Sequence, residues 1–429
     1  MSFDQVHRMS DIERTEQNNG SVDVNSARQL SIDFLRGIAV LGILLMNIVS
    51  FAMPEIAYYA PYSAALTYPG AAWANLQGAD GIVRYFCVIF AEGKFISIFA
   101  MLFGAGLAIQ SQHGQLMWRT VGEVRKSQSL RLIVLAIIGL IHAYFVWYGD
   151  ILFSYAVVGL IAIWCVRRRR LWLISAASVL LILPTLLVML LGAVMMLEPS
   201  GESLAASEDE MIHSAAEVAS EIAAYTGTYH QQFEQRLPTA FYMQSVGLLF
   251  TGPYVLGLML LGMALHGAGW FTNRPTRLHV VLSAVCFVLG TAGAIAISDM
   301  NRRYADSPMV QVMIVYPLFL LTAVLTAIAY SKGLVSLWFS IAGRLTNALE
   351  CVGKMALSNY LLQSLLCTAF FYGYGLGYFA SMGRTQLLVV VIVVWMINVL
   401  FSKLWLSKFS VGPVEWVWRR AVRSMSGTN

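Results

Sequence analysis

The sequence predicts an all-α fold: a polytopic helical membrane protein with about ten transmembrane helices, each near the ~20 residues a bilayer core requires. Three observations predict it. The chain is 58% hydrophobic and only 12% charged, roughly half the charged share of an ordinary soluble domain. Long apolar segments recur from residue 34 to residue 406. Lys and Arg gather in alternate loops, while the one strongly acidic stretch falls in the other set. Basic loops stay on the cytoplasmic side, so both termini are expected in the cytoplasm.

Residues 1–30 are polar, of mixed charge, and lack the apolar core of a signal peptide. They read as a disordered cytoplasmic tail. The transmembrane domain is expected over 31–406. Its first helix, Phe34–Met53, is stopped by Pro54. Asp33 and Arg36 stand at its entrance and Asn47 lies deep inside. Asp33 and Arg36, three apart, share a face; so do Arg36 and Asn47, eleven apart and about 16 Å along the axis. Ionised groups in lipid are costly, so this face should look into protein or a wet cavity. Asp33 with Arg36 also fits a simple interfacial ion pair that fixes helix depth.

Glu55–Gly81 has no Lys or Arg and suits an outer loop. Ile82–Ile109 is too long for one simple span, and Glu92-Gly93-Lys94 interrupts it. Either an interfacial helix ends before Gly93, or one tilted helix runs through. Glu92 and Lys94 can pair there. Gly104 and Gly106 permit close helix approach. Arg119, Arg125, Lys126 and Arg131 mark the next loop as cytoplasmic. Leu132–Tyr148 and Ile151–Val166, parted only by Gly149-Asp150, form a tight outer hairpin, and Arg167–Arg170 returns the chain to the inner side. Leu171–Leu197 carries a kinking Pro184. The insert 198–236 sets eight acids against Arg236 alone and is expected on the extracytoplasmic side, partly helical. Spans follow at about Phe241–Leu265, Val280–Ile297 and Val310–Tyr330, the last kinked at Pro317. Residues 334–353 mix Trp338, Phe339 and Leu345 with Arg344, Asn347 and Glu350, as an amphipathic helix on the inner surface would. Lys354–Tyr372 and Leu387–Leu406 complete the ten, before a basic cytoplasmic tail at 407–429.

Few residues can carry chemistry. His142 falls in the outer half of its span. An imidazole exchanges protons near neutral pH when a partner orients it. Asp150 is placed to be that partner, or to cap the next helix. Asn359 and Gln363, four apart, form a polar stripe that either glues helices or lines a substrate path. Glu415, Trp416 and Arg419 at the inner surface either hold a nucleotide-bearing donor or anchor the tail. Five scattered cysteines read as small apolar filler. The spacing offers no zinc cluster, phosphate loop or nucleophile elbow, so no metal is expected. Partners are expected to be lipids and a small molecule, not nucleic acid.

Five stretches together resemble the YeiB-like family of bacterial inner-membrane proteins. They are Ser31–Asn47; Gly93-Lys94-Phe95 through Leu102-Phe103-Gly104-Ala105-Gly106; Gly149–Ala156; Ala356–Ser364; and Gly412–Arg419. The resemblance covers almost the whole chain and implies a multi-pass protein of the bacterial inner membrane. The family is grouped with transmembrane acyltransferases, including heparan-alpha-glucosaminide N-acetyltransferase and the membrane O-acyltransferases of bacterial glycans. It therefore implies an acyl-CoA donor such as acetyl-CoA, a sugar or other hydroxyl or amine acceptor outside, and a homodimer. The glycan enzymes carry Arg, ten residues, then His on the first helix. Here Arg36 is followed after ten residues by Asn47, which cannot act as a base. The glucosaminide enzyme places its His in the loop after that helix, and Glu55–Gly81 has none. His142, supported by Asp150, is the replacement base expected from the sequence. Asn47 and Gln363 would orient the thioester carbonyl. Asp33, Arg36, Glu92, Lys94, Asn359, Glu415, Trp416 and Arg419 complete the expected donor and substrate contacts. The competing function is a transporter or exporter of a small polar or amphipathic metabolite, which the prolines at 184, 253 and 317 would suit.

Overall fold

The computed structural model describes residues 29–117, 119–197, 215–305, 307, 310–341 and 343–426. The tail read at 1–30 falls outside them up to residue 28. The front of the acidic insert, 198–214, and residues 427–429 also lie outside. The described residues form helices and no strands. Among the described residues, eight helical runs are long and apolar enough to cross a membrane, and two shorter apolar helices stand where the fourth and ninth spans were expected. The protein is an all-α, multi-pass membrane protein.

Helix α1 is Gln29–Ala52. Its apolar window is 72% buried, so it is a central helix. Two short helices, α2 (Ile56–Tyr59) and α3 (Pro61–Thr67), follow it. Of the two forms open to the long second segment, the structure has the broken one, with α4 (Gly78–Phe90) and α5 (Lys94–Leu116) parted at Glu92-Gly93. Gly93 adopts φ +75° at the break, a left-handed conformation that glycine enters freely. The hairpin comprises α6 (Val121–Phe145) and α7 (Leu152–Ala162). The latter is shorter than the expected Ile151–Val166. Its last turn tightens, with Trp164 and Cys165 N–H donating to carbonyls three residues back.

Next come α8 (Arg170–Leu197), which runs through Pro184, and α9 (Ala215–Thr226). The sixth span is not one helix from Phe241. A break at Ser245 divides α10 (Tyr229–Gln244) from α11 (Val246–Gly267). Helix α12 is Arg277–Arg303 and, with an apolar window only 17% buried, lies at the periphery. A π-turn at Gln311–Val315 leads into α13 (Tyr316–Ser340). The amphipathic helix is therefore shorter than 334–353. Residues 334–340 continue the span, and only α14 (Arg344–Lys354) is separate. Helices α15 (Ala356–Phe371) and α16 (Arg384–Leu406) follow. The basic tail folds into α17 (Pro413–Ser426).

Loops that the charge pattern assigns to one side do meet one another. At the basic end, Ser31 Oγ donates to Phe271 O (2.9 Å) and Trp418 Nε1 to Arg131 O (2.8 Å). Lys332 Nζ, fully buried, donates to Trp270 O and Asn273 O (2.9 and 2.8 Å). At the acidic end, Ala380 N–H donates to Ala52 O (2.7 Å), Gly373 N–H to Tyr225 O (2.8 Å) and Tyr229 Oη to Phe145 O (2.8 Å). Two apolar cores match these ends. One centres on α5 and α11; the other surrounds the last two turns of α1 with Trp73, Trp147, Phe371 and Tyr372.

Candidate functional site

The site is built at the acidic end of the α6–α7 hairpin. His142 lies on the last turn of α6, 2% exposed. Its Nδ1 meets Asp150 Oδ2 at 2.8 Å. The other oxygen, Oδ1, accepts the Phe153 N–H at 2.8 Å and so caps α7. Asp150 thus plays both roles open to it: the cap fixes the carboxylate, and the fixed carboxylate orients the ring. With Asp150 ionised, Nδ1–H donates and Nε2 carries the lone pair. That Nε2 is buried and has no hydrogen-bond partner among the described residues.

The pair needs close helix approach, which Gly139 supplies. A Cβ there would meet the Phe153 backbone and Asp150 Oδ1. Helix α15 closes the site from the other side. Tyr360 lies with its ring 5.3 Å from His142, while its hydroxyl donates to Gly149 O and accepts from Ile151 N–H, both at 3.3 Å. Trp147 stands edge-on at 6.4 Å and stacks on Phe51 of α1 at 4.1 Å. Arg236 is fully buried on α10; its Nε and Nη1 donate to Tyr144 O and Val146 O (3.0 Å each), holding the end of α6. Nη2 of Arg236 and Nε1 of Trp147 are, like His142 Nε2, buried with no hydrogen-bond partner among the described residues.

Helix α1 connects this end to the basic one. Arg36 is half-buried and pairs with Asp33 at 2.8 Å. Asn47 is half-buried, and its side chain makes no hydrogen bond to a described residue. Phe51 follows Asn47 by one turn, so Arg36, Asn47 and Phe51 mark one face that ends at Trp147. Gln363 donates to Val40 O (3.4 Å) on that face, one turn from Tyr360 on α15. Gln363 thus ties α15 to α1, and the His142–Asp150 pair is reached from α1 through Phe51 and Trp147 and from α15 through Tyr360.

The other expected contacts lie elsewhere. Glu92 pairs with Arg84 at 2.7 Å rather than with Lys94. Lys94, fully buried, donates to Val88 O (2.6 Å) and stands over the Phe319 ring. Asn359 donates to Val352 O and Ser402 Oγ and accepts from Asn398, joining α14, α15 and α16. Glu415 caps α15, accepting Leu357 and Ser358 N–H (2.9 and 3.1 Å) and a short bond from the Ser358 hydroxyl. It anchors the tail, as a carboxylate at a helix N-terminus does well. Trp416 and Arg419 are exposed beside it.

Beside the site, the Glu221 side chain accepts the Glu55 N–H (3.1 Å). Burial pushes the Glu221 carboxyl up to about 8, and the Glu55 carboxylate adds to the rise. The folded state then holds a proton that the unfolded state sheds near the ordinary carboxylate range. Stability falls as pH rises from about 4.5 to about 8, by at most ~1.4 kcal/mol per pH unit. Glu221→Gln is expected to flatten that slope in thermal melts between those limits. An unchanged slope would assign it to another group.

Residues 265–424 match a family described as a protein of unknown function (DUF418). The chain is 33% identical over 425 residues to the uncharacterized protein YeiB of Escherichia coli (strain K12), covering 93% of this chain and 97% of that one. It is 28% identical to the uncharacterized protein YxaH of Bacillus subtilis (strain 168), over 91% and 93% of the two chains. A 39.9 kDa uncharacterized protein of Bacillus acidopullulyticus, encoded in the amylase 3' region, is 25% identical over 91% and 92%. No solved structure matches. With such coverage at both ends, the chain belongs to the YeiB-like, DUF418-containing family.

Proposed function

We propose that the protein is an acyltransferase of the bacterial inner membrane, moving an acyl group from cytosolic acyl-CoA to a hydroxyl or amine acceptor outside. The observation that carries this reading is the buried His142–Asp150 pair with an unpartnered Nε2. In the step, His142 Nε2 takes the acceptor proton. The acceptor oxygen or nitrogen bonds the thioester carbonyl carbon, the C–S bond breaks, and the proton returns to the departing CoA sulfur. Asp150 stabilises the imidazolium between the two transfers. Arg36 would bind donor phosphate, and Asn47 with Gln363 would orient the carbonyl. Trp147 and Tyr360 shut His142 from water, so the acceptor enters when they part. Assembly as a homodimer belongs to the same proposal.

The test is equilibrium binding of acetyl-CoA and longer acyl-CoAs to detergent-purified protein, beside Arg36→Ala. Saturable binding that weakens about tenfold or more in the variant is expected, from loss of one charge-assisted contact. Folded protein that binds no acyl-CoA would overturn the reading in favour of a metabolite carrier.

A further inference from the structure

A second polar constellation lies away from the His142–Asp150 pair and takes no part in the proposed reaction. Helices α1, α4 and α16 enclose a small cleft whose volume is about 20 Å³. Leu45, Met46 and Val49 form its apolar wall, and two arginines, Arg84 and Arg384, form its polar one. Arg84 is 6% and Arg384 5% exposed. Such burial is rare for arginine unless its charge is matched.

Only one of the two is matched in contact. Arg84 Nη1 bonds Glu92 at 2.7 Å. Arg384 Nη2 donates instead to a neutral acceptor, Ala57 O, at 2.9 Å. Asp80, the next acid, is occupied by the Thr385 N–H and hydroxyl (2.7 Å each) and the Asn75 amide (3.0 Å). The cleft thus holds two guanidinium groups against one contacting carboxylate. On each arginine, the Nε is buried and has no hydrogen-bond partner among the described residues. A buried guanidinium with no carboxylate in hydrogen-bond contact, an Nε donor to spare, and Asp80 and Glu92 acting on it only through space is costly, and a bound anion supplies the missing contact. The volume sets the size, since one water-sized sphere needs at least ~10–15 Å³.

We propose that this cleft is a binding site for one compact, singly charged anionic group, held by Arg84 and Arg384 with Glu92 setting the local charge. The shared chemistry is a halide-sized ion or one oxygen of a lipid phosphate. Binding locks α4 and α16 against the outer half of α1.

The experiment is thermal unfolding of the full chain in detergent at constant ionic strength, with chloride or bromide replacing gluconate, whose bulk the cleft excludes. A second arm, in gluconate alone, compares phosphatidylglycerol with phosphatidylcholine. A saturable rise in Tm with halide identifies a free ion. A rise with phosphatidylglycerol alone identifies the lipid phosphate. Either rise should vanish in Arg384→Gln. Glu92→Gln removes the contacting carboxylate and should tighten anion binding at least tenfold, a reading that survives if Arg384→Gln does not fold. Melting that is the same in every anion and lipid overturns the proposal. So does a rise that persists in Arg384→Gln, or an anion affinity unchanged by Glu92→Gln.

Discussion

His142→Ala is expected to lower acyl transfer by roughly 10²–10⁴-fold, the usual worth of a positioned general base, while leaving acyl-CoA binding intact. Geometry supports the separation: His142 sits at the acidic end, whereas Arg36 stands at the basic end of α1. Asp150→Asn is the sharper test. An asparagine oxygen can still accept the Phe153 N–H, so α7 keeps its cap. The carboxylate that stabilises the imidazolium is lost, and turnover should fall by a comparable factor with little change in Tm. Tyr360→Phe removes only the hydroxyl contacts to Gly149 and Ile151 and should cost less than tenfold. Rates are to be read in reconstituted vesicles with labelled acyl-CoA, each variant checked by melting. Full activity in His142→Ala would remove the base from the mechanism, whatever the donor.

The His142–Asp150 pair was legible in the sequence because both residues flank one tight hairpin, where eight positions of separation close into contact. What made the contact possible was less visible. Gly139 matters because α7 crosses there at backbone distance, and nothing in its local pattern distinguishes it from other small residues. Arg236 could be noticed as a lone cation among acids, but that it braces the end of α6 depends on tertiary packing. Nearness in sequence suggested a Glu92–Lys94 pair, yet the turn at Gly93 sends the carboxylate back to Arg84 on α4. Glu415 reaches α15 across more than fifty residues, beyond any local rule. Hydropathy located the spans well and their ends poorly. It marks where lipid begins, and hydrogen bonding carries α13 past that point to Ser340.

The largest stability effect is expected where α5 crosses α11. Gly104 and Gly262 meet reciprocally there. A Cβ on Gly104 would strike the Met259 backbone, and one on Gly262 would strike the Met101 backbone. Without a hydrophobic driving force between helices in lipid, close backbone approach supplies much of the association energy. Gly104→Ala and Gly262→Ala must each push the helices apart, at a cost of ~1–3 kcal/mol or more. Valine at either position should prevent folding. Gly106→Ala is the control. Nothing lies within 4 Å of its Cβ direction, and alanine favours a helix interior by up to ~1 kcal/mol, so Tm should hold or rise. Equal losses at 104 and 106 would mean that the crossing is not where it is drawn. The double variant Gly104→Ala/Gly262→Ala tests the reciprocity itself. Once the first methyl has separated the helices, the second finds room, so the combined loss should fall short of the sum. Strict additivity would indicate two independent contacts rather than one shared crossing.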